Sequence, residues 1–389
     1  MFDIERTRNA IREEGLSGWL FYNVFHRDQI ADLVLEVPVD RMNTRPWICV
    51  VSLDRPPVKI VHRIEASVLQ HLPGVTIPYS SREEFAKAVV QALPEGGSVA
   101  ADYSSTIPVG SYFDHGAALF LQSLGARLAS SEGLIARFLG TIDAAGFVTH
   151  EAAGKVLYAV VGETWARLAQ AARAGRYPRE GEVQDWITGR IAGAGMESDG
   201  PPVVGFGAHT ADPHYGPESG GATLQPGDTV QFDIWARQKT PGAVFADISW
   251  VGVCAASPTP RQLEVWSAVH HAREAAVSLL QSRLAAGAAP SGAEVDKAAR
   301  QELLSRGFAA GIRHRTGHSI GSRVHGYGVN LDSVEFPDER SLSEGACFSV
   351  EPGLYLEDFG MRTEIDCCIA GGRLRVTGGE RQARLLTLG

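Results

Sequence analysis

Two distant stretches of this chain repeat one another, and the repeat limits what the chain can fold into. LQPGDTVQFD places Leu224, Gly227 and Asp233 at offsets that LSEGACFSVE reproduces with Leu342, Gly345 and Glu351. Upstream of each word a helical pattern opens with similar residues, GEV at Gly181 and GAEV at Gly292, and a longer helical pattern precedes each, at 155–172 and 262–286. Downstream of each, a second strand-like stretch carries another acid, Asp247 in the first half and Glu364 in the second. The order helix, helix, strand, strand therefore occurs twice, and two such halves facing each other bring four carboxylates to their junction.

TVQFDIWA and VFADISWV read as two strands joined by a turn around Thr240, Pro241 and Gly242. Alternate residues of a strand share a face, so Gln231, Asp233 and Trp235 go together, as do Phe245, Asp247 and Ser249. A hairpin thus aims both aspartates to one side. Glu351 in CFSVEPGLY and Glu364 in MRTEIDCCI are likewise set among apolar residues typical of buried strands. One buried carboxylate without a partner is costly, and several together raise each other's pKa. Two divalent cations supply the four positive charges that Asp233, Asp247, Glu351 and Glu364 lack. HRTGHSIGSRVHG adds imidazoles, of which His318 completes a ligand set. Oxygen ligands with one nitrogen suit manganese, cobalt or iron as well as zinc. A single strand aspartate is more often a surface acid, and GHSIG or EPG alone is a weak signal. The ordered set Asp, Asp, His, Glu, Glu is far more specific.

The first third alternates helical stretches (4–14, 83–93) with strand-like ones (18–22, 47–53, 98–102), the pattern of an α/β domain. The word IDAAGFVT at 142–149 stands before a long helical pattern at 150–174, so the domains are expected at 1–145 and 146–389. The chain is 44% hydrophobic and 21% charged with a net charge of −9, ordinary for a soluble globular protein. With no basic run, neither nucleic acid nor an anionic membrane is an expected partner, and no apolar run is long enough to cross a bilayer. The opening MFDIERTRNAIREEG mixes both charge signs and reads as no secretory signal. Cys49, Cys254, Cys347, Cys367 and Cys368 are odd in number, two are adjacent, and none has zinc-finger spacing. They read as reduced and buried in a cytoplasmic protein.

These residues carry a resemblance. DPHY at Asp212, FDIW at Phe232, ADIS at Ala246, HRTGHSIG at His314, VHG at Val324, VEPGLY at Val350 and RTEID at Arg362 resemble, in order, the words of the pita-bread metallopeptidases, which include methionine aminopeptidase, aminopeptidase P, prolidase and creatinase. The shorter bacterial Xaa-Pro dipeptidases are the most similar group. The resemblance implies a mixed α/β (α+β) fold: a creatinase-like N-terminal α/β domain, then a pita-bread catalytic domain with pseudo-twofold αβ repeats and a curved antiparallel sheet. It implies two divalent metal ions per subunit, manganese first and cobalt, zinc or iron as alternatives. Their ligands would be Asp233, Asp247, His318, Glu351 and Glu364, with Asp247 and Glu364 bridging. His214, His314 and His325 fall on substrate-contacting positions, and a homodimer is implied. The chain departs from the pattern in a longer turn between the aspartates, in Ser319 where glycine is frequent, and in Gly326 where an acid is frequent.

The implied reaction is hydrolysis of the bond before a C-terminal proline in a short peptide. That bond is a tertiary amide without an N–H, so a peptidase cannot grip it there. A hydroxide bridging two metals would attack the carbonyl. His325 would hold the resulting oxyanion, His214 would serve the leaving side and His314 would position substrate. Arg362, which alternation in MRTEID places on one strand face with Glu364, would orient that acid or bind the substrate's free carboxylate, for which Arg323 is a second candidate. Asp366 shares a sequence register with Glu364 and is its alternative as ligand. The competing readings are an aminopeptidase P acting on longer peptides, a creatinase-like hydrolase or lyase, and a peptide-binding module of the same fold, which typically lacks the ligands present here.

Overall fold

The computed structural model describes residues 2–389, which form two compact units that divide between Leu139 and Gly140. The first contains α1 (Ile4–Glu13), β1 (Gly18–Asn23), α2 (Gln29–Val34), β2 (Trp47–Ser52), β3 (Val58–His62), β4 (Val75–Tyr79), α3 (Arg82–Ala92), β5 (Val99–Ala101), α4 (His115–Ser123), β6 (Leu128–Ser130) and α5 (Glu132–Leu139). Its strands make one mixed sheet in the order β4-β3-β2-β1-β5-β6. Asp3, Ser81 and Asp114 accept backbone hydrogen bonds that start α1, α3 and α4. On one face Leu20, Ile48, Val50 and Ile60 pack against Phe85, Val89 and Leu121.

This unit buries a pair of acids that sequence reading passes over. Asp28 caps α2 by accepting from Ile30 N and Ala31 N, and Asp102 accepts from Trp19 Nε1 (2.9 Å) and Ser131 Oγ (2.7 Å). Burial pushes both carboxyls above the ordinary aspartate value, and Asp102 adds to the shift of Asp28.

The second unit contains α6 (Ala144–Arg173), α7 (Glu180–Gly193), β7 (Met196–Glu197), β8 (Val203–Phe206), β9 (Thr229–Gln238), β10 (Ala246–Val253), α8 (Pro260–Ala285), α9 (Gly292–Ser305), β11 (Cys347–Val350), β12 (Gly353–Tyr355), β13 (Gly360–Arg362), β14 (Ile365–Ala370), β15 (Arg373–Val376) and β16 (Leu386–Thr387). The sheet runs β16-β10-β9-β7, with β8 also paired to β9. A second piece runs β11-β14-β15, and β12 pairs with β13. The repeat is physical. Leu224 N donates to Pro178 O and Leu342 N to Pro290 O, each at 3.0 Å, and Thr223 and Ser341 bridge to Arg179 and Ser291 at the starts of α7 and α9. Gly227 (φ 95°) and Gly345 (φ 83°) take the same left-handed turn, open to glycine at no steric cost.

Three expectations change. The helix expected at 150–174 begins at Ala144, because Asp143 caps it by accepting from Gly146 N; most of IDAAGFVT is thus its cap and first turns, and the units divide before that word. Glu351 follows the end of β11, and Glu364 lies in the break between β13 and β14. They are not mid-strand residues, because the sheet is interrupted there to turn the chain. The same break means that Arg362 and Glu364 do not share a continuous strand.

The Asp28–Asp102 pair makes the first unit pH-sensitive. Its folded state keeps a proton that the unfolded chain has lost, so stability is highest in acid and falls as pH rises above the ordinary carboxylate range. Hydrogen-exchange protection of peptides spanning β1 and β5 should fall between about pH 5 and about pH 8 after correction for intrinsic exchange. Asp28→Asn should flatten that trend; an unchanged slope would remove the pair as its cause.

Candidate metal centre

The hairpin β9–β10 aims its polar residues by alternation. Phe232, Ile234 and Ala236, with Ala246 and Ile248, point into a core shared with Leu157, Val161 and Leu168 of α6. Asp233 and Trp235 point the other way. The register sets Asp247 opposite Trp235 and Ser249 opposite Asp233, so both aspartates face one cavity of about 660 Å³. The longer turn of the hairpin, 239–242, is exposed at the far end.

His318 arrives on a segment laid along β11: Ser349 N donates to His318 O at 2.9 Å, and His318 N donates to Ser349 Oγ at 3.0 Å. Glu351 follows that strand directly, with its N–H donated to Thr316 O at 2.7 Å. Glu364 is tied to the first half by its backbone, Glu364 N donating to Ser249 O at 3.0 Å. All five expected ligands line the same cavity.

Their chemistry fits a divalent cation. Among the described residues, Asp247 Oδ1 and Glu364 Oε1 are buried oxygens without a hydrogen-bond partner. One oxygen or nitrogen each of Asp247, His318 and Glu364 lie within 4.8 Å of one another. His318 Nδ1 donates to Ser319 O at 3.1 Å, and Nε2 faces Asp247 Oδ2 (3.6 Å) and Glu351 Oε1 (3.5 Å), where it pairs with the acids when protonated and is free to bind metal when not. Burial, and then the neighbouring acids, push Asp247 and Glu364 above the carboxylate range. Burial also acts to raise Glu351, but His318, His314 and Arg362 outweigh it and the acid is held low.

Two residues hold the acids in place. Ser249 Oγ lies 2.9 Å from both Asp233 Oδ1 and Glu364 Oε2 and accepts from Arg362 Nε at 2.9 Å. Arg362 donates further to Asp233 Oδ2 (2.6 Å), to Tyr355 Oη (2.9 Å) and to Pro213 O (3.2 Å). Its donors are thus committed to the protein, which sets it among the acids rather than free for a substrate carboxylate. Tyr355 Oη in turn lies 2.7 Å from His314 Nε2, while His314 Nδ1 lies 2.6 Å from Arg315 O. Both ring nitrogens of His314 are therefore used.

His214 and His325 line the cavity and are exposed. The ring of His325 lies tilted against that of His318 (4.4 Å between centroids), and desolvation in the cavity, followed by the charge of His318, pushes its pKa down to about 4. The loop of His214 is pinned by the buried Glu180, which accepts from Phe206 N (2.8 Å), His209 Nδ1 (2.9 Å) and Tyr215 Oη (2.8 Å). Arg323 is not brought to the cavity wall; its guanidinium lies over the ring of Tyr327. Arg313 and Arg315 are on the wall instead. Asp366 is turned away: its Oδ2 accepts from Asp247 N at 2.7 Å behind the acids. Ser249, Tyr355, Glu180 and Arg315 were the residues that sequence reading did not assign. HRTGH names Arg315, but nothing in its spacing says which way it points.

Residues 148–370 match the model of metallopeptidase family M24. The Xaa-Pro dipeptidase of Lactobacillus helveticus is 33% identical over 166 residues, 42% of this chain. The matched stretch spans 40% of that relative's length. The dipeptidase PepE from Mycobacterium ulcerans superposes with a TM-score of 0.71 at 23% identity, over 99% of this chain and 96% of its own. The X-Pro aminopeptidase from Thermotoga maritima gives 0.65 at 20% identity, over 100% of both chains. At these identities the structural likeness speaks for the fold, a mixed α/β chain of the pita-bread type.

Because Ser249 joins Asp233, Glu364 and Arg362, Ser249→Ala should weaken the affinity of metal-stripped protein for manganese by roughly 10- to 100-fold. Calorimetric titration reads this independently of turnover. Unchanged affinity would show that the acids hold their positions without the hydroxyl.

Proposed function

We propose a function from one premise: this chain belongs to metallopeptidase family M24. It acts as a metal-dependent Xaa-Pro dipeptidase, hydrolysing the bond before a C-terminal proline. The observation that carries the reading is the cluster of Asp233, Asp247, Glu351, Glu364 and His318 Nε2 on one cavity, with unpartnered oxygens on Asp247 and Glu364. Choice of the bond rests on the resemblance and on the Xaa-Pro dipeptidase of Lactobacillus helveticus. The N-terminal unit is taken as creatinase-like, in keeping with structural neighbours that cover 99% of the chain.

These five residues would hold two divalent ions, with manganese first among the candidates for an oxygen-rich set. When bound, such ions supply Lewis acidity and a nucleophilic water of lowered pKa near neutral pH. The protein's own part is positioning and proton handling. His325, kept neutral by its surroundings, offers an N–H to the carbonyl oxygen as charge builds there. His214, on the rim, serves the proline nitrogen as it leaves. His314, fixed by Tyr355 and by Arg315 O, shapes the wall against which substrate lies. Arg315, on the cavity wall, takes the role of receiving the dipeptide's carboxylate that Arg362 cannot fill while bound to Asp233 and Ser249. No helix among the described residues is long and apolar enough to cross a membrane. The five cysteines are buried and free, which supports a reducing, cytoplasmic setting, and a homodimer completes the proposal on the strength of the family resemblance.

Purified protein should carry bound divalent metal and cleave Ala-Pro faster than Ala-Pro-Ala. Chelation should abolish turnover and manganese should restore it. A preference for the tripeptide would instead identify an aminopeptidase P, and full activity in metal-free protein would end the proposal. Asp247→Asn should reduce kcat by at least about a thousandfold; near-normal turnover would mean that the wrong acid has been named.

A further inference from the structure

Trp235 stands in the wall between two cavities. Its indole lines the cavity that holds the acids and also a second cavity of about 240 Å³, and Trp235 and Pro202 are the residues common to both linings. The second cavity is otherwise bounded by Thr188, Ile191 and Ala192 of α7, by Met196 and Glu197 of β7, and by Ser198, Gly200 and Lys239. The indole is fixed in this wall. Its Nε1 donates to Asp199 Oδ1 at 2.6 Å, and its Cζ2 lies so near Gly200 that a Cβ there would sit 3.2 Å away.

The wall stands at the place where a substrate varies. Asp233 and Trp235 are alternate residues on one face of β9, so they are spaced by roughly 6.6 Å along the strand. On the proposed reading, a carbonyl held at the acids belongs to the residue before proline. The residue after the bond is a ring of constant size, so only the preceding side chain can be selected by volume. We propose that Trp235 sets the size limit for that side chain, admitting small residues and shutting bulky apolar ones out of the space behind it. The inference rests on the Xaa-Pro reading of the site, and it adds a specificity-determining residue that takes no part in holding metal.

The test is kcat/KM for Gly-Pro, Ala-Pro, Leu-Pro and Phe-Pro in the metal-loaded protein. Wild type should favour Ala-Pro over Phe-Pro. Trp235→Ala, which joins the two cavities, should raise the Phe-Pro to Ala-Pro ratio by about tenfold or more. Adding Thr188→Phe to that variant, to refill the second cavity from α7, should return the ratio toward wild type. Trp235→Phe and Trp235→Leu open the wall by smaller steps and carry the test if the alanine variant does not fold. A ratio that stays within about twofold of wild type in every variant, or equal losses on all four dipeptides, would overturn the assignment of Trp235 alone. A wild-type protein that cleaves none of the four would instead overturn the proposed function and this inference with it.

Discussion

Like-charge repulsion in a buried place is the condition that organises this protein. Carboxylate oxygens of Asp247 and Glu364 lie within 4.8 Å of each other. At an effective dielectric near 20, two such charges repel by roughly 3 to 4 kcal/mol. A hydrogen bond of the kind that Ser249 provides returns only about 1 kcal/mol net. Hydrogen bonding therefore positions the acids but does not reconcile them. Arg362 offsets part of the charge at Asp233, and His318 part of that at Glu351 and Asp247. Two oxygens are still left without a partner. A site assembled in this way is unfavourable until cations enter, so metal binding and the stability of this unit are two readings of one equilibrium.

The duplicated half is what brings the charges together. Each half needs a rigid hairpin or strand edge, a helix pair behind it and a glycine turn before it, and the equivalent contacts of Leu224 and Leu342 with Pro178 and Pro290 show the same construction used twice. The halves are not identical at the site. In the first, both acids sit on regular strands in register. In the second, Glu351 and Glu364 sit just off strand ends, where backbone groups leave the regular ladder and are taken up by Thr316 O and Ser249 O. That irregularity lets the second half reach across to the first, and Arg362 ends β13 with its guanidinium among the acids of both.

What could be read from the sequence follows from which signals are local. The orientation of Asp233 and Asp247 was legible because strand alternation is a two-residue rule, and apolar Phe232, Ile234 and Ile248 fix which face goes to the core. The helices α1, α3, α6, α7, α8 and α9 were legible from periodicity, although the start of α6 depended on a cap at Asp143 within a stretch read as a domain boundary; the short α2, α4 and α5 were not read. Glu364 looked like a strand residue because its neighbours are apolar, and nothing local announces that the ladder breaks at Thr363. The commitment of Arg362 to Asp233, Ser249 and Tyr355 was hidden for a different reason: its partners come from segments far apart in sequence. The Asp28–Asp102 pair in the first unit was invisible for that reason too, since each aspartate alone is an ordinary cap or strand-end acid.

The same alternation that aims Asp233 places Trp235 beside it, and this divides chemistry from selection along a single strand. The acids answer to a strict requirement, because moving one of them changes the charge balance of all the others. Trp235 answers to a looser one: its hydrogen bond goes to exposed Asp199, outside the network of the acids, and its ring packs on backbone at Gly200. A change at position 235 therefore alters volume without altering the electrostatics that hold the site together. Substrate range in a scaffold of this kind can drift at the wall while the acids stay fixed, because β9 carries both on one face and couples them through the rigidity of its pairing with β10, β8 and β7.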